Sequence, residues 1–256
     1  MMRTILAVCF AALISAAPAL AVSPYFEDFE TGSDGWSTWP GSVDHLNLDN
    51  SHNHTPGFQS SPGNPPALPE GHAYRASEGV PGSFGSYTQV ADGTGKLRLD
   101  AYLYTDNANP DADDAIGQIQ LTNGPDFDTD FVQFGWHAAY GAGAEFLSVR
   151  TAAAGIQDTG VPRPAVDDWI KLSIEADAGV GGDLRFYLNN ALIHTVLGGR
   201  QDADLNTIRL GSNFGNNRDT VWYDDVSLQV PEPASGALLA MGAVALLGFR
   251  QRRQRA

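Results

Sequence analysis

DWIKLSIEA (168–176) and, a few residues on, LRFYLNNALIHT (184–195) decide how this chain folds. In the first stretch Ile170, Leu172 and Ile174 recur at every second position, with Lys171 and Glu175 between them. A period of two sends the apolar set to one side of an extended chain and the charged set to the other, which is the signature of a half-buried β-strand. Lys96–Leu103 repeats the pattern with Leu97, Leu99 and Ala101 on one face.

Outward from these stretches the texture persists. Strand-like runs fall at His72–Ala76, Ile116–Leu121, Phe131–Ala138, Glu145–Arg150, Leu184–Leu188, Leu192–Leu197, Ile208–Ser212 and Val221–Val230. Turn residues separate them, in line with 28 Gly and 15 Pro, and no central stretch has a long helical period. The expected fold is all-β, a two-sheet antiparallel β-sandwich of the jelly-roll kind, covering residues 22–230 as one domain. With 43% hydrophobic residues the chain has the material for a core, so wholesale disorder is excluded. The Pro-, Ser- and His-rich segment Asn50–Gly71 reads as a long loop.

The two ends obey different rules. Residues 1–21, MMRTILAVCFAALISAAPALA, have the grammar of a secretory signal peptide: Arg3 at the start, an apolar run, and small Ala19 and Ala21 framing a cleavage site. Cys9, the sole cysteine, lies inside this leader, so the mature chain has no thiol. At the other end, residues 231–256 run from Pro231-Glu232-Pro233 through an apolar stretch (234–249) to an Arg-rich terminus with Arg250, Arg252 and Arg253. As a single helix the apolar stretch would span roughly 24 Å, close to a hydrocarbon core of about 30 Å, and the arginines would stay cytoplasmic. The order of these three parts resembles the PEP-CTERM sorting signal of Gram-negative bacteria. That resemblance implies recognition by an exosortase-type sorting enzyme and cleavage near Pro231–Pro233. It also implies transient anchoring in the inner membrane, then a place at the cell surface or outside it, in the company of exopolysaccharide.

Two further stretches carry a second resemblance. Trp169–Ile174, the run from Leu184 to Thr195 and the closing IRLGSNFGNN…VWYDDVSL (208–228) are similar to laminin G-like and concanavalin A-like jelly rolls. The pattern needs a two-residue hairpin at Asn189-Asn190, and Asn tolerates the positive φ such a turn demands. In many carbohydrate-binding jelly rolls an early Phe-Glu-x-Gly and a closing Asp-Asp-Val lie on adjacent strands around one structural calcium. Phe26–Gly32 and Tyr223–Val226 match that pairing, which implies Glu30 and Asp224 as ligands, with Asp225 beside them. Alternation places Asp224 on one face with Trp222, Val226 and Leu228, where a carboxylate needs a cation or an Arg; a solvated position at the rim is the alternative. The acidic run 106–114 lacks the glycine and distal Glu of an EF-hand and reads as a solvated turn. His52 and His54 alone do not make a zinc site.

Charge excludes one class of partner. Outside Arg3, Glu232 and the four C-terminal arginines, the central region keeps 10 basic and 29 acidic residues, near −19. Such a surface repels phosphate backbones, so nucleic acid is not expected as a partner. Catalysis is not expected either. A retaining glycosidase needs two carboxylates about 5–5.5 Å apart. The E-x-D-x-x-E strand that supplies them in laminarinase-like enzymes does not occur, nor does G-x-S-x-G. The expectation is a non-catalytic domain that binds polysaccharide by stacking sugars on aromatic rings, with Trp39 and Tyr140 as the loop platforms. Trp169 and Trp222 read as core or sheet-packing residues. A structural envelope or biofilm scaffold without a ligand is the competing reading.

Overall fold

Each long run of alternating residues becomes a strand, and the apolar rows of two sheets face one another. The computed structural model describes residues 25–27, 29, 36–38, 47–49, 73–76, 84–88, 94–105, 116–124, 131–137, 146–164, 167–202, 204–211 and 221–229. These hold β1 (Tyr25–Glu27), β2 (Trp36–Thr38), β3 (Asn47–Asp49), β4 (Ala73–Ala76), β5 (Phe84–Thr88), β6 (Leu97–Thr105), β7 (Ile116–Thr122) and β8 (Phe131–His137). They continue with β9 (Phe146–Thr151), β10 (Gly155–Pro162), β11 (Ile170–Ala176), β12 (Leu184–Leu188), β13 (Ala191–Val196), β14 (Thr207–Gly211) and β15 (Val221–Gln229). The first sheet runs β13-β12-β11-β6-β15-β4-β3, with β1 also on β15; the second runs β10-β9-β8-β7-β14-β5-β2. Every pairing is antiparallel. The all-β two-sheet expectation holds; the signal peptide and the terminal apolar helix lie outside the described residues.

Leu97, Leu99, Ala101 and Leu103 of β6 join Leu172 and Ile174 of β11, and all are buried without residual exposure. Across from them Ile119, Leu121, Phe134, Leu147, Ile208 and Leu210 of the second sheet are buried as completely. The layers interlock: Phe134 and Phe186 meet edge to face at 5.4 Å between centroids. The Gln118 backbone N–H, in the second sheet, donates to the Tyr223 hydroxyl of the first at 3.1 Å. At one margin the edge strands β13 and β10 meet through His194 Nε2 and Gln157 Oε1, 3.2 Å apart.

Strand ends fall within two residues of the sequence expectations, and Leu184–Leu188 coincides. The sequence reading did not include β2, β3, β5 or β10. β10 contains Gly155, Gly160 and Pro162, which look like turn residues in isolation. An edge strand tolerates them because its outer N–H groups need no partner, and the register shift between Asp158 and Pro162 absorbs the misfit.

One expectation about faces is overturned. Asp224 opposes Tyr102 on β6, whereas Leu228 opposes Leu99, and residues 99 and 102 point to opposite sides of β6. Between them Asp225 takes a left-handed conformation (φ 46°) and, with Val226, opposes Ala101 alone. This β-bulge reverses the alternation. Asp224 and Trp222 therefore lie on the outer face of the first sheet, while Val226 and Leu228 enter the core. Trp169 and Trp222 pack on the outer face of the sheet in a small apolar cluster of their own: the Tyr104 ring lies 5.5 Å from Trp169 and 5.7 Å from Trp222.

Candidate functional site

The outer face of the second sheet carries a row of polar residues set directly opposite one another. Register pairs Arg209 of β14 with Gln120 of β7, Gln120 with Gln133 of β8, and Gln133 with Arg150 of β9. Backbone pairing continues the row to Ser86 and Ser37 on one side and to Ile156 on the other. Neighbouring strands lie about 4.8 Å apart, so the two guanidinium-bearing positions are separated by roughly 14 Å. A second row holds Gln118, Gly135, Ser148 and Asp158, and a third holds Thr207, Thr122 and Phe131.

These positions alternate with core residues: Ile119 and Leu121 flank Gln120, and Val132 and Phe134 flank Gln133. The local sequence thus folds as an ordinary half-buried strand, and what sets it apart is the choice of polar partner. Amides stand where a solvated face usually carries charges.

Gln118, Gln120, Gln133 and Arg209 point away from the core, yet all four are at most 3% exposed. Gln120 Nε2 donates to the Gly211 carbonyl at 3.3 Å. Gln120 Oε1, Gln118 Nε2 and both side-chain polar atoms of Gln133 have no hydrogen-bond partner. A buried amide atom left unsatisfied costs about 1–3 kcal/mol, and four of them are a large burden for a fold whose net stability is about 5–15 kcal/mol. Gly135 leaves the position opposite Gln118 without a side chain. A Cβ there would meet the Gly117 carbonyl oxygen at 2.0 Å, and φ is 152°. The Arg150 guanidinium lies 4.5 Å from the Phe131 ring centroid, which holds it at the end of the row.

The outer face of the first sheet is of another kind. Glu175 accepts from Lys96 at 2.8 Å and from Arg185 at 3.2 Å, Asp100 meets Arg98 and Lys171 at 3.0 Å each, and Arg185 reaches Asp177 at 2.9 Å. The hydrogen bond from Arg185, strengthened by its charge and that of Lys96, holds the Asp177 carboxyl below the usual range. Cations and carboxylates there satisfy one another across β6, β11 and β12.

Of the residues that sequence reasoning singled out, Asp224 and Asp225 are described. Asp224 is buried on the outer face of the first sheet and accepts from the Asp225 backbone N–H at 2.8 Å. β1 lies beside β15, with Glu27 opposite Val226, so the two segments of the implied calcium site are neighbours. Among the described residues no three His, Cys, Asp or Glu side chains converge on a metal-sized site. Glu30, Trp39, Tyr140, Ala19, Ala21, Pro231, Glu232, Pro233, Arg250, Arg252 and Arg253 lie outside the described residues, as do the Asn50–Gly71 loop and the acidic run 106–114. The glutamine row was missed. Gln118 and Gln120 alternate in the sequence, but nothing in it shows that Gln133, Arg150 and Arg209 stand beside them.

The tail has an identity of its own. Residues 229–253 match the PEP-CTERM protein-sorting motif. This motif implies export and membrane-anchored sorting by an exosortase-type enzyme of Gram-negative bacteria. Solved structures similar to the chain are β-sandwiches. The cellulose induced protein Cip1 is 16% identical over 80% of this chain and 97% of that one, with a TM-score of 0.51. The globular domain of T. cruzi calreticulin is 11% identical over 89% and 98%, with a TM-score of 0.53. A sialidase is 8% identical over 84% of this chain and 19% of its own, with a TM-score of 0.51. Likeness at such identities shows the fold alone. No curated protein matches the sequence.

Proposed function

We propose that the chain is an exported, exosortase-sorted protein of the cell surface or extracellular matrix, whose sandwich binds carbohydrate without catalysis. The observation that carries this reading is the Arg209–Gln120–Gln133–Arg150 row. Amides donate to and accept from sugar hydroxyls, guanidinium groups donate to them, and planar groups held on rigid strands fix the geometry of those bonds; because Gln120, Gln133 and Arg209 are at most 2% exposed, sugar binding requires that this face be uncovered. None of these side chains exchanges a proton near neutral pH, so they suit binding better than acid–base chemistry. The sorting motif supports a surface setting, where exopolysaccharide is the abundant ligand. A structural calcium held by Glu30, Asp224 and Asp225 belongs to the same proposal; the pairing of β1 with β15 and the burial of Asp224 support it.

The test is affinity electrophoresis of the exported protein through gels containing different polysaccharides, the host's own among them. The expected result is retardation in one gel and not in the others, abolished by Gln120→Ala with Gln133→Ala. Three of the four amide atoms that this double variant removes lack partners and the fourth makes one hydrogen bond at 3.3 Å, so the two effects oppose and its melting temperature should change little. Equal mobility in every gel would sink glycan binding and leave a structural envelope role.

A further inference from the structure

The Gln120 amide is held in one orientation. Its Nε2 donates to the Gly211 carbonyl at 3.3 Å, and a carbonyl takes only a donor, so Oε1 is the atom left over. That oxygen is buried and has no hydrogen-bond partner. Gln133 stands directly opposite on β8, and neither its Oε1 nor its Nε2 has a partner. Turned either way, the Gln133 amide presents one acceptor and one donor. The centre of the row therefore holds two buried acceptors that lack a donor, on opposed residues whose Cα atoms are about 4.5–5.5 Å apart. Gln118 Nε2, on the same face of β7 two residues from Gln120, is a buried donor that lacks an acceptor.

A gap lies beside these atoms. Gly135 is opposite Gln118 and two positions beyond Gln133 on the same face, and Ser148 flanks it on β9. No side chain stands at that position, and a Cβ there would run into the Gly117 carbonyl oxygen. Ser148 Oγ donates to the Gly135 carbonyl at 3.4 Å, which leaves that hydroxyl to act as an acceptor.

The mismatch states what a ligand must bring. A free sugar hydroxyl both donates and accepts, so neighbouring hydroxyls can satisfy Gln120 Oε1, both atoms of Gln133 and Gln118 Nε2 together. An esterified oxygen keeps its lone pairs and has no hydrogen. Set against Gln120 Oε1, it puts acceptor against acceptor and the buried atom stays unpaired. A site built to hydrogen-bond a hydroxyl rejects the analogue without it far more strongly than an apolar pocket rejects an extra methylene. Arg209 and Arg150, at the ends, only donate and accommodate an acyl oxygen as readily as a hydroxyl. Discrimination thus falls to the central amides.

We infer that the row reads hydroxyl hydrogens: its ligand is a polysaccharide face with free neighbouring hydroxyls, and O-acetylation of that face blocks binding. The inference rests on the glycan-binding reading of the row and needs the same uncovered face.

The experiment compares one polymer in two chemical forms. The host's exopolysaccharide and a galactomannan are each stripped of esters in mild alkali, and a portion of each is then acetylated with acetic anhydride. Affinity electrophoresis of the exported protein through the four gels gives a dissociation constant for each form. The free-hydroxyl form of at least one polymer should retard the protein, and acetylation should weaken that binding by at least about tenfold. Gln133→Met keeps the side-chain length and removes both polar atoms. It should weaken binding to the free-hydroxyl form until the two forms retard the variant nearly alike. An acetyl group rejected by its size alone would be rejected by the variant too, and the ratio would persist. Equal retardation of wild type by both forms, or an unchanged ratio in Gln133→Met, overturns the inference and leaves glycan binding standing. Equal mobility with and without every polymer removes the glycan reading itself, and the inference with it.

Discussion

Gly117 meets the Trp136 indole across β7 and β8, and a Cβ built there would come within 2.1 Å of the ring. Trp136 is buried at 1% exposure, so the ring would have to shift within the packed sheet to admit the methyl. Gly117→Ala should therefore cost about 1–3 kcal/mol as an overpacked core position. Thermal unfolding should show this as a drop of roughly 3–10 °C in a domain of this size. Tyr223 makes a second test. Burial pushes its phenol well above the ordinary value of 10.0, against the backbone N–H of Gln118 that would favour the phenolate. Because the folded value is raised, its contribution is fully present below about pH 10 and is lost as pH rises and the unfolded chain ionises. Tyr223→Phe should lower stability by about 1 kcal/mol at neutral pH, and the gap to wild type should narrow above pH 10 in melting curves. Neither contact is written in the local sequence, since Gly117 and Trp136, or Gln118 and Tyr223, become neighbours only once sheets form.

At the scale of elements, the β12–β13 hairpin was legible in advance. Asn189 and Asn190 adopt φ of 47° and 67°, the left-handed pair that a two-residue hairpin turn requires. Asn189 also accepts from the Lys171 N–H through Oδ1 at 2.8 Å and donates its own N–H to the Lys171 carbonyl at 2.8 Å, which ties the turn to β11. Asn190→Ala should destabilise by about 1 kcal/mol, because alanine resists the left-handed region, while Asn190→Gly should be neutral or stabilising; chemical denaturation midpoints would rank the three. β15 shows the opposite case. Its alternation is clear from Val221 to Leu228, yet the bulge at Asp225 reverses it midway. A left-handed Asp is no stronger a sequence signal than any Asp in a strand. The bulge sits where the neighbour of β15 changes from β4 (Val221–Tyr223) to β1 (Val226–Leu228), so its cause is tertiary.

For the whole molecule, the acidic surface makes cations the natural counter-partners. If Glu30, Asp224 and Asp225 hold calcium, chelation should lower the melting temperature by several degrees and added calcium should restore it; an unchanged melting curve would remove the metal from the account. The sequence by itself determined the sorting motif at 229–253, because such a motif is read as linear order by the enzyme that processes it. It determined the all-β class and most strand positions as well, because a period of two is a local consequence of backbone geometry. Only the tertiary structure decided which strands are neighbours. That choice assembled the glutamine and arginine row from β7, β8, β9 and β14, turned Asp224 outward, and set the start of β1 against the end of β15. The reason is that a strand displays its faces locally but acquires its partners from distant parts of the chain. Partner choice is made by the packing of the whole sandwich, and no single segment encodes it.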